Sequence, residues 1–240
     1  MMNIAKEKII VALDVPTPRE ALALFSVLSD SVGAFKIGSQ LFTAAGPSFV
    51  REMVHAGAKV FLDLKFHDIP NTVASAGIEA TRLGVFMFNV HVSGGSEMMR
   101  RTVDAVNVTA EKEGLTKPKV IAVTVLTSST KETLAEVGID AEEPLSQVVR
   151  LAQLANKCGM DGVVASPHEV VAVREAVGKK GFLLVTPGVR PAGSNKDDQK
   201  RVMTPSEAIR AGSDYLVIGR PIIGAPNPIQ AAQAIIDEIG

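Results

Sequence analysis

Short apolar runs rich in valine, isoleucine and phenylalanine recur eight times along this chain, each followed by a stretch with helical periodicity. The runs are Ile9 to Leu13, Ala34 to Ile37, Val60 to Leu64, Val85 to Val90, Val120 to Leu126, Gly162 to Ala165, Phe182 to Val185 and Tyr215 to Ile218. No linker or low-complexity break separates them. Strands that are hydrophobic on both faces and alternate with helices belong to a parallel sheet, and eight such units in 240 residues fit one closed (β/α)8 TIM barrel. The expectation is an α/β fold with residues 1–240 as a single barrel domain; an open doubly wound sheet is the alternative.

Helix starts are legible from their caps. Thr17-Pro18-Arg19-Glu20, Ser166-Pro167-His168-Glu169 and Thr204-Pro205-Ser206-Glu207 each combine a capping hydroxyl, proline at the first helical position and glutamate at the third. Asn227 before Pro228 caps the last helix in the same way. Ser93-Gly94-Gly95-Ser96 reads as a strand-to-helix turn with a serine cap, although such a turn can also cradle an anion. These polar residues therefore have structural work already.

The third run is different, because Phe61-Leu62-Asp63-Leu64-Lys65-Phe66-His67-Asp68-Ile69-Pro70-Asn71-Thr72 sets charges inside an apolar strand. Side chains two apart on a strand share a face. Asp63 and Lys65 then point one way, while Leu62, Leu64 and Phe66 pack the other side. Burying ions costs several kcal/mol each even when they are paired, so this placement favours function over a satisfied structural ion pair. Asp14, Lys36, Thr127, Ser128 and Arg220 likewise stand at or just beyond strand C-terminal ends without a capping task, at the end of the barrel where active sites form. Lys36 could instead snorkel to water, although Gly38 beside it suggests that something approaches the backbone. Asp68 could serve the turn before Pro70.

After the seventh run, Gly188 to Met203 has no helical or strand period, and loops of this length are functional or disordered. With Ile218-Gly219-Arg220 after the eighth run it would form a phosphate pocket, Arg220 supplying a bidentate cation and Gly219 a close backbone amide. Other signals are absent. There is no GxGxxG after the first strand and no Walker A sequence, and His55, His67, His91 and His168 lack metal-ligand spacing. His91 either lines the site or packs in the core.

With 25 Lys+Arg against 26 Asp+Glu, the chain has none of the basic excess that nucleic-acid binding requires. The single cysteine, Cys158, falls in the helical pattern Leu151, Leu154, Ala155, Cys158 and reads as core packing in a reducing compartment. No apolar h-region precedes the first strand, and no stretch is long enough to span a bilayer. A cytoplasmic location without membrane partners is expected.

Taken together, Ala12-Leu13-Asp14, Lys36-Ile37-Gly38, Asp63 through Thr72, Thr186-Pro187-Gly188-Val189-Arg190-Pro191 and Ile218-Gly219-Arg220-Pro221 resemble the orotidine 5'-phosphate decarboxylase family in order and spacing. The resemblance implies a carboxy-lyase that converts orotidine 5'-monophosphate to UMP and CO2 in pyrimidine biosynthesis, as a homodimer with shared active sites and without metal or organic cofactor. It implies Lys65 as proton donor to C6, with Lys36 and Asp63 completing the charged array and Asp68, with Thr72, reaching the neighbouring subunit's site. Asp14 and Lys36 would meet ribose hydroxyls, and Thr127 and Ser128 the pyrimidine. Gln199, Gly219, Arg220 and Arg190 would meet the phosphate region, and Ile69 and Pro187 would complete the binding set. Two rivals stand beside it: a magnesium-dependent sugar-phosphate relative, which typically carries glutamate where Lys36 stands, and a catalytically silent sensor of phosphate ligands on the same barrel.

Overall fold

All eight apolar runs form strands in the computed structural model, which describes residues 5–140, 143–191 and 203–240. They are β1 (Ile9–Ala12), β2 (Ala34–Gly38), β3 (Val60–Phe66), β4 (Met87–His91), β5 (Lys119–Val123), β6 (Gly162–Val164), β7 (Leu183–Pro187) and β8 (Tyr215–Ile218). Each pairs in parallel with the next, and β1 pairs with β8, so the sheet closes in sequence order. The open-sheet alternative is excluded. The helices are α1 (Pro18–Leu28), α2 (Ser39–His55), α3 (Pro70–Arg82), α4 (Gly95–Glu113), α5 (Lys131–Glu136), α6 (Pro144–Lys157), α7 (Val170–Val177), α8 (Pro205–Ala211), α9 (Arg220–Ile223) and α10 (Pro228–Ile239). None of them, among the described residues, is long and apolar enough to cross a membrane.

The period-two alternation sorts side chains into two cores. Ile10, Ala34, Phe61, Met87, Ile121, Val185 and Val217 fill the barrel, whereas Val11, Phe35, Ile37, Leu62 and Phe88 pack outward against the helices. One layer above the inner set, on the same faces of β2, β3 and β4, stand Lys36, Asp63 and Asn89. The alternation that builds the core thus also delivers polar groups to the mouth.

The opposite end is fastened by side chains. Asp161 Oδ2 accepts the Val120 N–H at 2.8 Å, and Asp214 Oδ2 accepts the Leu184 N–H at 2.7 Å. Arg174 on α7 pairs with Asp214 and donates to the carbonyls of Gly212 and Phe182. The polar groups at the mouth and the fold-holding contacts therefore occupy opposite ends of the strands, as in other barrels of this kind.

The caps form as read. Thr17 and Thr204 accept from the N–H of Glu20 and Glu207, each at 3.3 Å, and Asn227 accepts from Gln230 at 3.1 Å. Glu169 accepts the Ser166 N–H at 2.7 Å. The serine cap expected in Ser93-Gly94-Gly95-Ser96 is corrected: a short turn, Val92–Gly94, leads into α4, whose N-cap is Gly94 with no side-chain bond. A Cβ at Gly94 would lie 2.1 Å from Met98 Sδ, so the glycine there answers to packing. Cys158 is buried just past α6, as its helical spacing predicted.

C-terminal strand ends depart from the apolar runs by up to three residues, most at β3, β5 and β7, the last running on to Pro187. β5 stops at Val123, three residues short of Leu126, because the chain turns away where the Thr124 hydroxyl donates to the Val164 carbonyl at 2.9 Å. β3 runs on to Phe66, past Leu64, through an irregularity that shapes the site.

Candidate active site

β3 carries that irregularity at its charged end. Its register with β4 is Phe61 opposite Met87 and Leu62 opposite Phe88, and it resumes only at Phe66 opposite Val90. Lys65 lies inside the break with φ of 52°, the one non-glycine residue with positive φ among the described residues. Such a backbone costs about 1–3 kcal/mol and persists where surrounding contacts impose it. Its N–H, drawn out of the ladder, donates to the side-chain oxygen of Asn89 at 2.8 Å.

The side chains then form a line of alternating charge across the mouth. Asp14 Oδ1 lies 2.9 Å from Lys36 Nζ, Lys36 Nζ lies 3.3 Å from Asp63 Oδ2, and Asp63 Oδ1 accepts from Lys65 Nζ at 2.6 Å. Four residues, from the segment just past β1, from β2 and from β3, meet in one array. The Lys36 and Asp63 side chains are only 11% and 12% exposed, whereas Lys65 is 37% exposed and Asp14 more so. Lys36 therefore does not snorkel outward; its ammonium stays inside, between two carboxylates. Gly38 makes room for it, since a Cβ there would stand 3.0 Å from Lys36 Nζ. The approach that Gly38 suggested is that of the lysine itself.

Lys36, Asp63 and Lys65 of this line form one wall of a cavity of about 190 Å³. Val123, Val125, Val164, Val185 and Val217 form the facing wall, with Leu126, Thr127 and Pro187 also lining it. A flat ring with polar edges suits such a space, its faces against the apolar side chains and its charged substituent against Lys36, Asp63 and Lys65.

Other expected residues fall around the rim. Ser128 is exposed beside Thr127 but does not line the cavity. Gly219 and Arg220 stand at the start of α9, with Gly219 close enough to β1 that a Cβ would lie 3.8 Å from Asp14 Oδ2. Arg190 follows β7, where its N–H donates to the Met203 carbonyl at 3.2 Å. Gln199 lies outside the described residues. Asp68 turns from the array: its Oδ1 accepts the Ile69 N–H at 2.6 Å, and it makes no ion pair among the described residues. Ile69 is 66% exposed, and Thr72 is exposed on the first turn of α3.

His91, at the end of β4, is half-buried with its ring 5.6 Å from that of His67. Burial, then the positive fields of His67 and Lys65, push its imidazole below the ordinary value, against an opposing pull from Asp63. A lowered folded-state pKa means that the unfolded chain binds more protons just below neutrality, so stability falls as pH drops through the unfolded value of about 6.5. Calorimetric melts of wild type and His91→Phe are expected to diverge between about pH 7 and 5.5, the wild type losing more. Parallel curves would assign the acid sensitivity elsewhere.

Asn89 escaped the sequence reading. It is 1% exposed on β4, accepting from Lys65 and donating through Nδ2 to Asp63 Oδ1 at 2.7 Å. The available signal was a polar residue within the apolar run from Met87 to Val90.

Comparison with known proteins gives consistent findings. A family model described as "Orotidine 5'-phosphate decarboxylase / HUMPS family" matches residues 7–235. A protein of Geobacter sulfurreducens named orotidine 5'-phosphate decarboxylase is 60% identical over 236 residues, 98% of this chain and 97% of that one. One from Geotalea uraniireducens with the same name is 56% identical over 235 residues, 98% of this chain and 96% of the other. Among solved structures, orotidine 5'-phosphate decarboxylase from Lactobacillus acidophilus superposes with a TM-score of 0.85 at 38% identity, covering 97% of this chain and 98% of that one. An uncharacterized conserved protein from Geobacillus kaustophilus does so at 0.83 and 34% identity, covering 97% of this chain and 100% of that one.

Proposed function

The chain belongs to the orotidine 5'-phosphate decarboxylase / HUMPS family, and from that membership and its lysine–aspartate array we infer a carboxy-lyase that converts orotidine 5'-monophosphate to UMP and CO2. The observation that carries the residue-level reading is the Lys65 ammonium, held 2.6 Å from Asp63 on the wall of the cavity. Heterolysis of the bond between C6 and the carboxylate leaves an electron pair at C6 in an orbital perpendicular to the ring π system, where enolate delocalisation cannot reach it. Fixed positive charge can. Lys65 stabilises the developing anion and then transfers a proton from Nζ to C6 as CO2 departs. Asp63 holds the ammonium at 2.6 Å, and a charged amine is a poor Schiff-base nucleophile, which must be neutral.

In this reading Lys36 and Asp14 take ribose hydroxyls, Thr127 and Ser128 the pyrimidine edge, with Ile69 and Pro187 closing the binding set. Gly219, Arg220, Arg190 and Gln199 take the phosphate region, where binding energy far from C6 is spent at the reacting carbon; the closure expected of the segment after β7 falls mostly on residues outside the described ones. Asp68 and Thr72 complete the site of a second copy in a homodimer; the outward Asp68 and the exposed apolar Ile69 beside it support that arrangement. Catalysis uses neither metal nor organic cofactor. A divalent cation bridging Asp14 and Asp63 would have to displace the Lys36 ammonium that already pairs with both, which disfavours the magnesium-dependent branch. The buried free thiol of Cys158 suits a reducing cytoplasm, and the balanced charge disfavours nucleic acid as a partner.

Spectrophotometric turnover of orotidine 5'-monophosphate in the presence of a chelator tests this reading. The wild type is expected to turn over with undiminished rate, and Arg220→Ala to lose about 10²-fold or more in kcat/KM, as would substrate lacking its phosphate. A chelator-sensitive enzyme would point to the metal-dependent branch, and a chain that binds UMP without releasing CO2 to a sensor.

A further inference from the structure

We propose that Asn89 is a positioning residue for the proton donor, its carboxamide fixing at once the backbone of Lys65 and the carboxylate of Asp63. The inference rests on the decarboxylase reading for its catalytic consequence, while its structural part stands alone.

Between the paired residues Leu62–Phe88 and Phe66–Val90, β3 advances by four residues and β4 by two. Asp63, Leu64 and Lys65 therefore occupy the span that Asn89 alone occupies on β4. Two residues of excess would leave the Lys65 N–H without a ladder acceptor, and Asn89 Oδ1 supplies one at 2.8 Å. The same carboxamide donates from Nδ2 to Asp63 Oδ1 at 2.7 Å, the oxygen that also receives Lys65 Nζ at 2.6 Å. Chemistry fixes the orientation of the amide: a backbone N–H only donates and a carboxylate only accepts, so oxygen faces Lys65 and nitrogen faces Asp63.

Asn89 is itself held. It is 1% exposed, and its backbone stays in register with Ile121 on β5. A rigid strand thus sets two points, the main chain that carries the amine and the carboxylate that aims it. Aspartate would set an anion against Asp63, alanine would leave a buried N–H unmet, and glutamine is one methylene too long for the same two bonds.

Asn89→Asp and Asn89→Ala, assayed beside the wild type for turnover, UMP binding, melting temperature and Lys65 amide exchange, test the proposal. In Asn89→Ala, kcat is expected to fall about 10²-fold, the scale for small displacements of reacting groups, with UMP affinity within about threefold and Lys65 amide exchange at least about tenfold faster while the neighbouring strands stay protected. Asn89→Asp is nearly isosteric and carries a second signature. At low pH the introduced acid is protonated and can donate to Asp63, so its kcat relative to wild type should climb as pH falls from about 8 to 5. The charged and titratable groups facing that position are Asp63 and Lys65 from β3, Lys36 from β2 and His91, its ring tilted against that of His67, from β4 itself; β5 presents Ile121 and Val123 there.

Wild-type kcat in Asn89→Ala would overturn the proposal. So would losses in both variants that track melting temperature, affect UMP affinity equally and ignore pH. If the wild type failed to decarboxylate orotidine 5'-monophosphate, the functional reading would fall, and Lys65 exchange would still decide this one: acceleration in Asn89→Ala supports it and unchanged exchange refutes it.

Discussion

Lys65→Ala is expected to abolish decarboxylation, with kcat lowered by at least about 10⁴-fold. Two contributions leave together, the fixed cation beside C6 and the proton that quenches the anion; each alone is typically worth about 10²-fold or more. Binding should survive, because the cavity's apolar wall and the groups after β7 and β8 are untouched, so UMP affinity is the control. Folding should survive as well. The Lys65 side chain is 37% exposed, its ion pair is largely screened by solvent, and Asp63 keeps Lys36 and Asn89 as partners. A variant turning over within about tenfold of wild type would remove Lys65 from the chemistry and leave the array as scaffolding.

Asp63→Ala is expected to injure both stability and rate. Asp63 is the hub, pairing with Lys36 at 3.3 Å and accepting from Lys65 and Asn89 while only 12% exposed. Its removal leaves two ammonium groups facing one another, with Lys36 retaining Asp14 alone. Breaking a buried pair on one side costs about 3–5 kcal/mol, and the surviving Asp14 contact argues for the lower end. For a chain of this size about 3 kcal/mol lowers the melting temperature by roughly 6–12 °C. The rate should fall about 10²-fold or more, because Lys65 loses its aim. Asp63→Asn keeps the shape and an acceptor, so it should melt closer to wild type yet remain slow. An unshifted melt for Asp63→Ala would mean that solvent, rather than the carboxylate, holds the two amines apart.

The eightfold pattern was legible because short branched runs between capped helices leave a chain few topologies, and helix starts such as Thr17 and Thr204 sit where their hydroxyls predicted. Asp14, Lys36, Asp63 and Lys65 were legible for a related reason: a charge in an apolar strand stands out against its neighbours. What could not be read is what side chains do to backbone. β3 outlasts its apolar run because Asn89 takes over a ladder bond, and β5 ends early where Thr124 reaches the Val164 carbonyl. Nothing marks Lys65 for a left-handed backbone, since neither glycine nor asparagine stands there. Asn89 itself carries no charge and sits in a run that reads as plain core. For Asp68, local turn chemistry and the family resemblance gave different roles, and its bond to the Ile69 N–H fits the turn while leaving its second oxygen available to a neighbour.

The aspartates that bond to the amide of the adjoining strand at the closed end, with Arg174 clamped across three partners there, have an evolutionary corollary. Because the staves are riveted at the floor, mutations at the rim can retune specificity with little risk of springing the cask. Directed evolution toward altered pyrimidines should therefore tolerate broad randomisation around Thr127 and Pro187, whereas a library aimed at Asp161, Arg174 or Asp214 should return mostly misfolded clones.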